Sequence, residues 1–243
     1  GDRAGAIGYS TVGATNMTIR KNFKALAQDE IRDLEPITDT NIDEGLRLAK
    51  VELDNAPVRE NAVKIVVLFT DGRPTAFRDI FPMNTPHAPD PYDAVVTSYI
   101  SGSWYRGLFD PINGLKVVGF NGDGSPILYP NASYASSPRP RWLPGGLAVN
   151  GYNIRALGIE QAEEQAESIR QAGYVIYVVA LGNPNAVYEG DQPDLDFLRR
   201  LANENGVVSA NEPKGQMVFS PSAAELNSVF SLIADRILRR ITG

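Results

Sequence analysis

The chain has 243 residues, 43% hydrophobic and 21% charged, which suits one large domain or one domain with an insertion. It lacks cysteine and has a single histidine, which argues against disulfides, thiolate catalysis, zinc–sulfur sites and histidine-based triads. The net charge of −6 argues against nucleic acid as a partner, and any metal site must use the oxygen ligands that suit Mg²⁺ or Ca²⁺.

The first part of the chain predicts two strands followed by two helices. Residues 4–10 and 17–20 have the composition of strands and are separated by a turn. An amphipathic helix follows and ends before Pro36. A second helix is predicted to start at Thr40, because Thr40 and Asp43 have the spacing of a capping box.

A continuous apolar run ends in Asp71. Residues 64–70 predict a strand buried on both faces, as in a parallel sheet covered by helices. Asp71 follows at the carboxyl end of this strand, where open α/β sheets bind ligands. We interpret Asp71 as a metal or ligand residue; the alternative is that Asp71 and Gly72 form only a turn.

The character of the sequence changes between Arg73 and Gly151, where Pro, Gly, Ser, Tyr and Asn dominate. We assign residues 77–152 to a long, irregular insertion, which contains aromatic residues that we expect to be buried. Asn121-Gly122-Asp123-Gly124 lies between two apolar stretches and predicts a hairpin turn.

Regular periodicity returns at Asn153, and strands again alternate with helices. This alternation predicts an α/β fold with a three-layer, doubly wound, mainly parallel sheet. The predicted elements are a helix over 153–173, a fully buried strand over 174–181, a short helix opened by Asp194 and stopped by Gly206, a strand over 217–219, and a helix that starts at 222–225.

Thr40 and Asp71 are the two candidate site residues. Helix N-termini and strand C-termini meet at the same edge of a doubly wound sheet, so the two residues are predicted to lie together. A hard cation such as Mg²⁺ or Ca²⁺ could take the Asp71 carboxylate and the Thr40 hydroxyl, directly or through water. The alternative for Thr40 is a plain helix cap, which contributes about 1 kcal/mol.

The order of these segments resembles the von Willebrand factor type A domain, a Rossmann-like fold. The resemblance implies that residues 1–76 and 153–243 form this domain and that the insertion lies outside it. The stretches that carry the resemblance are 2–10 for the family's second strand, 40–46 for its Thr-Asn-Ile turn into a helix, 68–72 for its Thr-Asp-Gly strand end, and 174–182 for the following strand.

A narrower resemblance concerns the C-terminal part. Residues 194–203 and 215–240 are similar to the tails of bacterial von Willebrand A proteins related to tight-adherence (Tad) pilus assembly. This resemblance implies an extracytoplasmic protein at the bacterial cell surface or envelope. Because the chain begins at Gly1 without an initiator Met, we expect it to be part of a longer product, anchored in a membrane only through residues upstream.

The family's metal-ion-dependent adhesion site uses an Asp-x-Ser-x-Ser motif, a threonine and an aspartate. Thr40 and Asp71 match the last two, but Asp-x-Ser-x-Ser occurs nowhere in the 243 residues. The missing first strand would lie between the strands 4–10 and 65–70. We therefore expect an upstream segment or a strand donated by a partner to complete the sheet, and metal binding by this chain alone to be weak.

Three functions follow from this reading. The first is a non-enzymatic adhesion or surface-assembly module that binds a protein partner through a divalent cation. The second is a metal-independent structural subunit of a filament or surface layer. An enzyme, or the partner of a chelatase-type ATPase, is least favoured because the chain lacks a nucleophile motif and a usable histidine or cysteine pair.

Overall fold

The structure, a computed structural model, describes residues 2–33, 39–57, 59, 62–70, 72–99, 103–130, 136–182, 192–220 and 226–242. The chain divides into two compact units. The first unit comprises Gly1–Leu48 and Pro74–Gln161, and the second comprises Ala49–Arg73 and Ala162–Gly243.

Strands and helices alternate along the described residues. The strands are β1 (Ala4–Tyr9), β2 (Gly13–Arg20), β3 (Ile65–Thr70), β4 (Ala76–Phe81), β5 (Tyr92–Ser98), β6 (Tyr105–Phe109), β7 (Lys116–Phe120), β8 (Pro126–Tyr129), β9 (Val175–Leu181) and β10 (Gln216–Ser220). The helices are α1 (Lys24–Arg32), α2 (Ile42–Asn55), α3 (Gly151–Gln171), α4 (Leu195–Ala202) and α5 (Leu226–Thr242).

The described strands form three sheets. In the first unit, β1 and β2 make an antiparallel pair, and β4 to β8 make a five-stranded antiparallel sheet in chain order. In the second unit, β3, β9 and β10 make a parallel sheet in the order β10-β9-β3. The predicted α/β class is confirmed, and its parallel part consists of these three strands.

The predicted insertion contains the five-stranded sheet, whereas the sequence predicted one hairpin and otherwise irregular structure. That hairpin is confirmed as β7 and β8. The other strands escaped detection because charged residues interrupt their alternation; Arg78 and Asp93, for example, pair across β4 and β5 at 2.7 Å. The sheet buries its own apolar cluster together with α3: Phe77, Phe81, Met83, Ala94, Val96, Leu108, Val117, Phe120, Leu143, Val149, Ile154 and Leu157.

The prediction that β3 is buried on both faces was wrong. Its residues alternate, with Val66 and Leu68 buried, whereas Val67 and Phe69 are each 37% exposed. β9 is buried over six of its seven residues, as predicted. α5 covers the face of the sheet that carries Val175, Tyr177 and Val179 of β9, packing Val229 and Ile233 against them.

Outside the five-stranded sheet, four strands have an open edge within the part of the chain that the structure describes, and two of them are β2 and β10, which pair only with β1 and β9. β1 pairs only with β2, and β3 pairs only with β9. The apolar side of α1 is only partly covered, since Leu26 and Ala27 are half-buried and Ile31 is 62% exposed. An open edge leaves backbone N–H and C=O groups available for another strand.

The outer strands of the five-stranded sheet are protected differently. On β4, the Asp79 carboxylate accepts a hydrogen bond from the backbone N–H of Ile80 at 2.7 Å. On β8, Pro126 and Pro130 bracket the strand, and proline is typical of edge strands because it cannot donate to a further strand. Among the strands with an open edge, β1 and β3 are the two between which the missing first strand is predicted to lie.

Helix α4 begins as predicted and ends differently. The Asp194 side chain accepts a hydrogen bond from the Phe197 N–H, which caps the helix. The helix ends at Asn203, which has a left-handed conformation (φ 50°), and not at Gly206. The capping box predicted at 222–225 lies outside the described residues. Among the helices that are described, none has the length and apolar character needed to cross a membrane.

Candidate functional site

Thr40 lies in the short segment that precedes α2, and Thr75 fixes its backbone. The Thr40 N–H donates to the Thr75 hydroxyl at 2.9 Å, and the Thr40 carbonyl accepts from the Thr75 N–H at 3.0 Å. The half-buried Thr40 side chain makes no hydrogen bond with any residue that the structure describes. Its hydroxyl is therefore the polar group of Thr40 left for another ligand.

Asn41 caps α2, and the prediction that the helix starts at Thr40 with a Thr40–Asp43 capping box was wrong. The fully buried Asn41 side chain accepts from the Glu44 N–H at 3.3 Å and donates to the Thr11 carbonyl at 3.0 Å. Asn and Thr are both good caps, but the apolar stripe of α2 begins at Ile42, directly after Asn41. The position of that stripe was the signal that could have identified Asn41.

A buried ion pair holds the residue before Thr40. The Asp39 carboxylate accepts from Arg106 of β6 at 2.6 Å and from the Thr11 hydroxyl at 2.9 Å. The Asp39 side chain is 1% exposed and that of Arg106 is 13% exposed. Residues 39–41 are thus fixed to the β1–β2 turn on one side and to the five-stranded sheet on the other.

Lys116 of β7 adds a second cation to this buried group. Burial raises the pKa of the Asp39 carboxyl, and the charges of Arg106 and Lys116 oppose that shift. Burial and the charge of Arg106 lower the pKa of Lys116. Gly107 leaves space for the lysine, since a Cβ at this position would lie 2.8 Å from Lys116 Cε. A side chain at position 107 would disturb this charged group.

Thr75 also connects Thr40 to the hairpin formed by β5 and β6. The Thr75 carbonyl accepts from the backbone N–H of Ser98, the last residue of β5, at 2.8 Å. Thr75 and Ser98 are buried. The end of β5 is therefore linked to Thr40 through Thr75, which is hydrogen-bonded to both.

The second predicted site residue, Asp71, lies outside the described residues, so the pairing of Thr40 with Asp71 stays a prediction. Within the described part of the chain, no three His, Cys, Asp or Glu side chains form a group that could hold a metal ion. The assignment of Thr40 and Asp71 as metal ligands therefore stays a prediction.

The sequence did not indicate the supports of Thr40. Asp39 and Arg106 are 67 positions apart, and Thr40 and Thr75 are 35 apart, so no local pattern links them. Both pairs form because β6 and the residue just before β4 lie against the segment before α2.

No family model matches the sequence, and no curated protein matches it. Among solved structures, the chain is similar to the vWF domain of the type V pili tip protein Mfa5 from Porphyromonas gingivalis. The TM-score is 0.52 at 17% identity, over 98% of this chain and 80% of that domain.

A second structure, of three N-terminal domains of Mfa5, matches with a TM-score of 0.50 at 16% identity, and this chain spans 40% of it. The conserved hypothetical protein BatB from Bacteroides thetaiotaomicron matches with a TM-score of 0.46 at 12% identity. At these identities the likeness to the Mfa5 domain concerns the fold. The chain has the α/β fold of a von Willebrand factor domain.

Proposed function

We propose that this chain is a non-enzymatic, extracytoplasmic module of a bacterial surface or pilus protein, which binds a protein partner through a divalent cation. Thr40 and Asp71 are the cation's ligands in this chain. The fold likeness to a domain of a pilus tip protein supports the setting at a cell surface.

One observation carries the proposal. Thr40 is not the cap of α2, because Asn41 caps the helix, and the Thr40 backbone is already hydrogen-bonded to Thr75. A threonine held by both backbone groups, with a hydroxyl free of hydrogen bonds to the described residues, is preorganised to offer that oxygen to a ligand.

The ligand chemistry fits Mg²⁺ or Ca²⁺. Both ions prefer oxygen ligands, and a hydroxyl and a carboxylate are two of the six or more that they take. A segment with the Asp-x-Ser-x-Ser motif would supply further ligands, and the cation would then hold a carboxylate of the partner. Without that segment, Thr40 and Asp71 alone bind the ion weakly.

The open edges of β1 and β3 support a completing strand. Within the described residues, each of these strands is paired with one neighbouring strand. A strand from an upstream segment or from a partner would add along the other side by strand addition. The same segment would supply the Asp-x-Ser-x-Ser motif to the cation.

The test uses the complete protein, meaning this chain together with the completing segment. We expect Asp71→Ala to abolish Mg²⁺ binding in calorimetry while the urea unfolding midpoint stays unchanged. Asp196→Ala is the control, because the Asp196 side chain is 82% exposed and contacts only the Arg199 side chain nearby. Loss of folding in Asp71→Ala equal to the loss of binding would count against a ligand role.

A metal-independent structural subunit is the alternative. Assembly of the complete protein into filaments or layers at an unchanged rate in EDTA would favour it. The cation-dependent module predicts instead that EDTA removes partner binding and that added Mg²⁺ restores it.

A further inference from the structure

An exposed group of aromatic side chains lies where the β5–β6 hairpin meets α3. Tyr99 and Trp104 face each other across the hairpin, with the Tyr99 N–H donating to the Trp104 carbonyl at 3.3 Å. Opposite residues of a hairpin have neighbouring side chains. Tyr99 is 51% exposed and Trp104 is 72% exposed.

The first turn of α3 adds Tyr152 to this surface. The Gly151 N–H donates to the Ser103 carbonyl at 2.9 Å, and Arg155 donates to the Tyr99 carbonyl at 2.9 Å. The Arg155 guanidinium stacks 5.2 Å from the centre of the Tyr152 ring, which is 62% exposed. We call Tyr99, Trp104 and Tyr152 the aromatic surface.

The aromatic surface is connected to Thr40 through backbone hydrogen bonds. Thr40 is bonded to Thr75, Thr75 is bonded to Ser98, and Tyr99 follows Ser98. Neighbouring extended segments are about 5 Å apart, so Thr40 and Ser98 are separated by roughly 10 Å. A peptide whose side chain reaches Thr40 can therefore contact the aromatic surface with the residues next to it.

The composition of the surface indicates a protein contact. Trp, Tyr and Arg are the residue types enriched at the centres of interfaces, where each can contribute a large share of the affinity. Elsewhere in this unit Phe77, Phe81 and Phe109 are buried, and Tyr129 and Trp142 are 47% and 43% exposed. The three rings of the aromatic surface are thus the most exposed among the described aromatic residues of this unit.

We propose that the aromatic surface sets the specificity of the Thr40 site. The partner is a polypeptide that presents an acidic side chain to the cation and packs flanking apolar residues against Tyr99, Trp104 and Tyr152. This inference rests on the proposed cation-dependent function and adds the identity of the residues that surround the partner's carboxylate.

The test uses synthetic peptides with one central Asp, flanked either by Leu and Ile or by Ser and Gly. The protein is the complete protein with Trp142→Phe, in which Trp104 is the only tryptophan of this chain, so its fluorescence reports on the aromatic surface. In Mg²⁺, we expect the apolar-flanked peptide to bind about 30-fold more tightly than the polar-flanked peptide.

The variant Trp104→Ala is expected to remove most of this preference, leaving both peptides at the weaker, Mg²⁺-dependent affinity, which calorimetry measures. Trp142→Ala is the matched control and should keep the preference. Trp142 is also exposed, but it closely follows Pro140, which pairs with Met83 just after the C-terminal end of β4, whereas the aromatic surface lies at the other end of that strand. Trp104 is mostly exposed, so its removal should leave the unfolding midpoint unchanged.

The outcomes separate the two proposals. If the preference survives in Trp104→Ala, the aromatic surface is not the site that binds the flanking residues of the peptide. The same conclusion holds if the protein self-associates and only Trp104→Ala removes that self-association. Binding that is unchanged by EDTA and by an Asp→Asn peptide, yet lost in Trp104→Ala, overturns the cation function and keeps the surface. Absence of binding by either peptide at millimolar concentration overturns both.

Discussion

Thr40 and Asn41 are adjacent polar residues whose side chains serve different purposes. Asn41 is fully buried and hydrogen-bonded to groups of α2 and of the β1–β2 turn, so its role is structural. Thr40 is held through its backbone, and its hydroxyl bonds to no described residue. Substitutions of Thr40 and Asn41 should therefore change the free energy of unfolding by different amounts.

We expect Asn41→Ala to lower the free energy of unfolding by about 2 kcal/mol, because it removes the cap of α2 and leaves the buried Thr11 carbonyl without this donor. Thr40→Ala should change the free energy by less than about 0.5 kcal/mol. Urea unfolding followed by circular dichroism measures both. A cost for Thr40→Ala as large as that for Asn41→Ala would show that the Thr40 hydroxyl is structural.

The sequence identified Thr40 as a candidate but assigned the cap to the wrong residue of the pair. Both residue types cap helices well, and only the position of the first apolar residue of the stripe distinguishes them. The Asp39–Arg106 ion pair could not be predicted, because it depends on how a distant segment folds back. Local patterns specify the residue type at a site and not its tertiary support.

At the scale of elements, burial of tyrosines in the five-stranded sheet has a consequence at alkaline pH. Burial, together with the charges of Asp110 and Asp93, raises the pKa of Tyr92 on β5 to about 12. Burial also raises the pKa of Tyr105 on β6, whose hydroxyl donates to the Pro138 carbonyl at 2.6 Å.

In both cases the folded state favours the neutral phenol. The contribution of Tyr92 to stability is therefore fully present below the unfolded pKa of about 10 and is lost as pH rises through about 12; that of Tyr105 is also lost at alkaline pH. We expect tyrosinate absorbance and loss of circular dichroism to rise together in this range. Tyr105→Phe should make the decline in unfolding free energy shallower; an identical decline in this variant would contradict the assignment.

Helix α4 provides a second prediction, at its C-terminus. Asn203 has φ 50°, is fully buried, and its side chain accepts from the N–H groups of Val208 and Ser209, both at 3.0 Å. Asn203→Ala should cost about 3 kcal/mol, from left-handed strain and lost hydrogen bonds to buried groups. Asn205→Gly is the control.

Asn205 is exposed and also left-handed (φ 56°), so glycine at this position should be neutral or slightly stabilising in thermal unfolding. A cost for Asn203→Ala below that of an ordinary surface substitution would mean that the following turn does not depend on this side chain.

The elements that the sequence predicted best are those with long apolar runs. β9 and β3 were located to within one residue, because both consist almost entirely of consecutive apolar residues, although only β9 is buried along nearly its whole length. β4, β5 and β6 were missed because charged residues, Arg78, Asp93 and Arg106, interrupt their apolar pattern. Their burial depends on α3, which begins more than 40 positions further on in the chain.

At the scale of the whole molecule, β3 is hydrogen-bonded to one strand, β9, among the described residues, and the proposed completing segment would add along its other edge. Phe69 and Val67 are each 37% exposed on a strand whose neighbour β9 is almost fully buried. If a completing segment covers this face, the contribution of Phe69 to stability differs between the isolated chain and the complete protein.

We expect Phe69→Ala to cost about 3 kcal/mol in the complete protein and less than half of that in the 243-residue chain alone. Ile112→Ala is the control, since Ile112 is 87% exposed and should cost less than about 0.5 kcal/mol in both forms. Urea unfolding of the four variants measures the difference. Equal costs of Phe69→Ala in the two forms would show that this face stays uncovered.

Tyr99 and Trp104 are exposed and do not belong to the apolar cluster of the five-stranded sheet. Amino-acid changes at these two positions therefore cost little stability, whereas changes in the cluster are costly. If the aromatic surface binds a partner as proposed, such a division would let a lineage exchange its binding target without redesigning its framework. It would also make these positions suitable for grafting new recognition sequences in the laboratory.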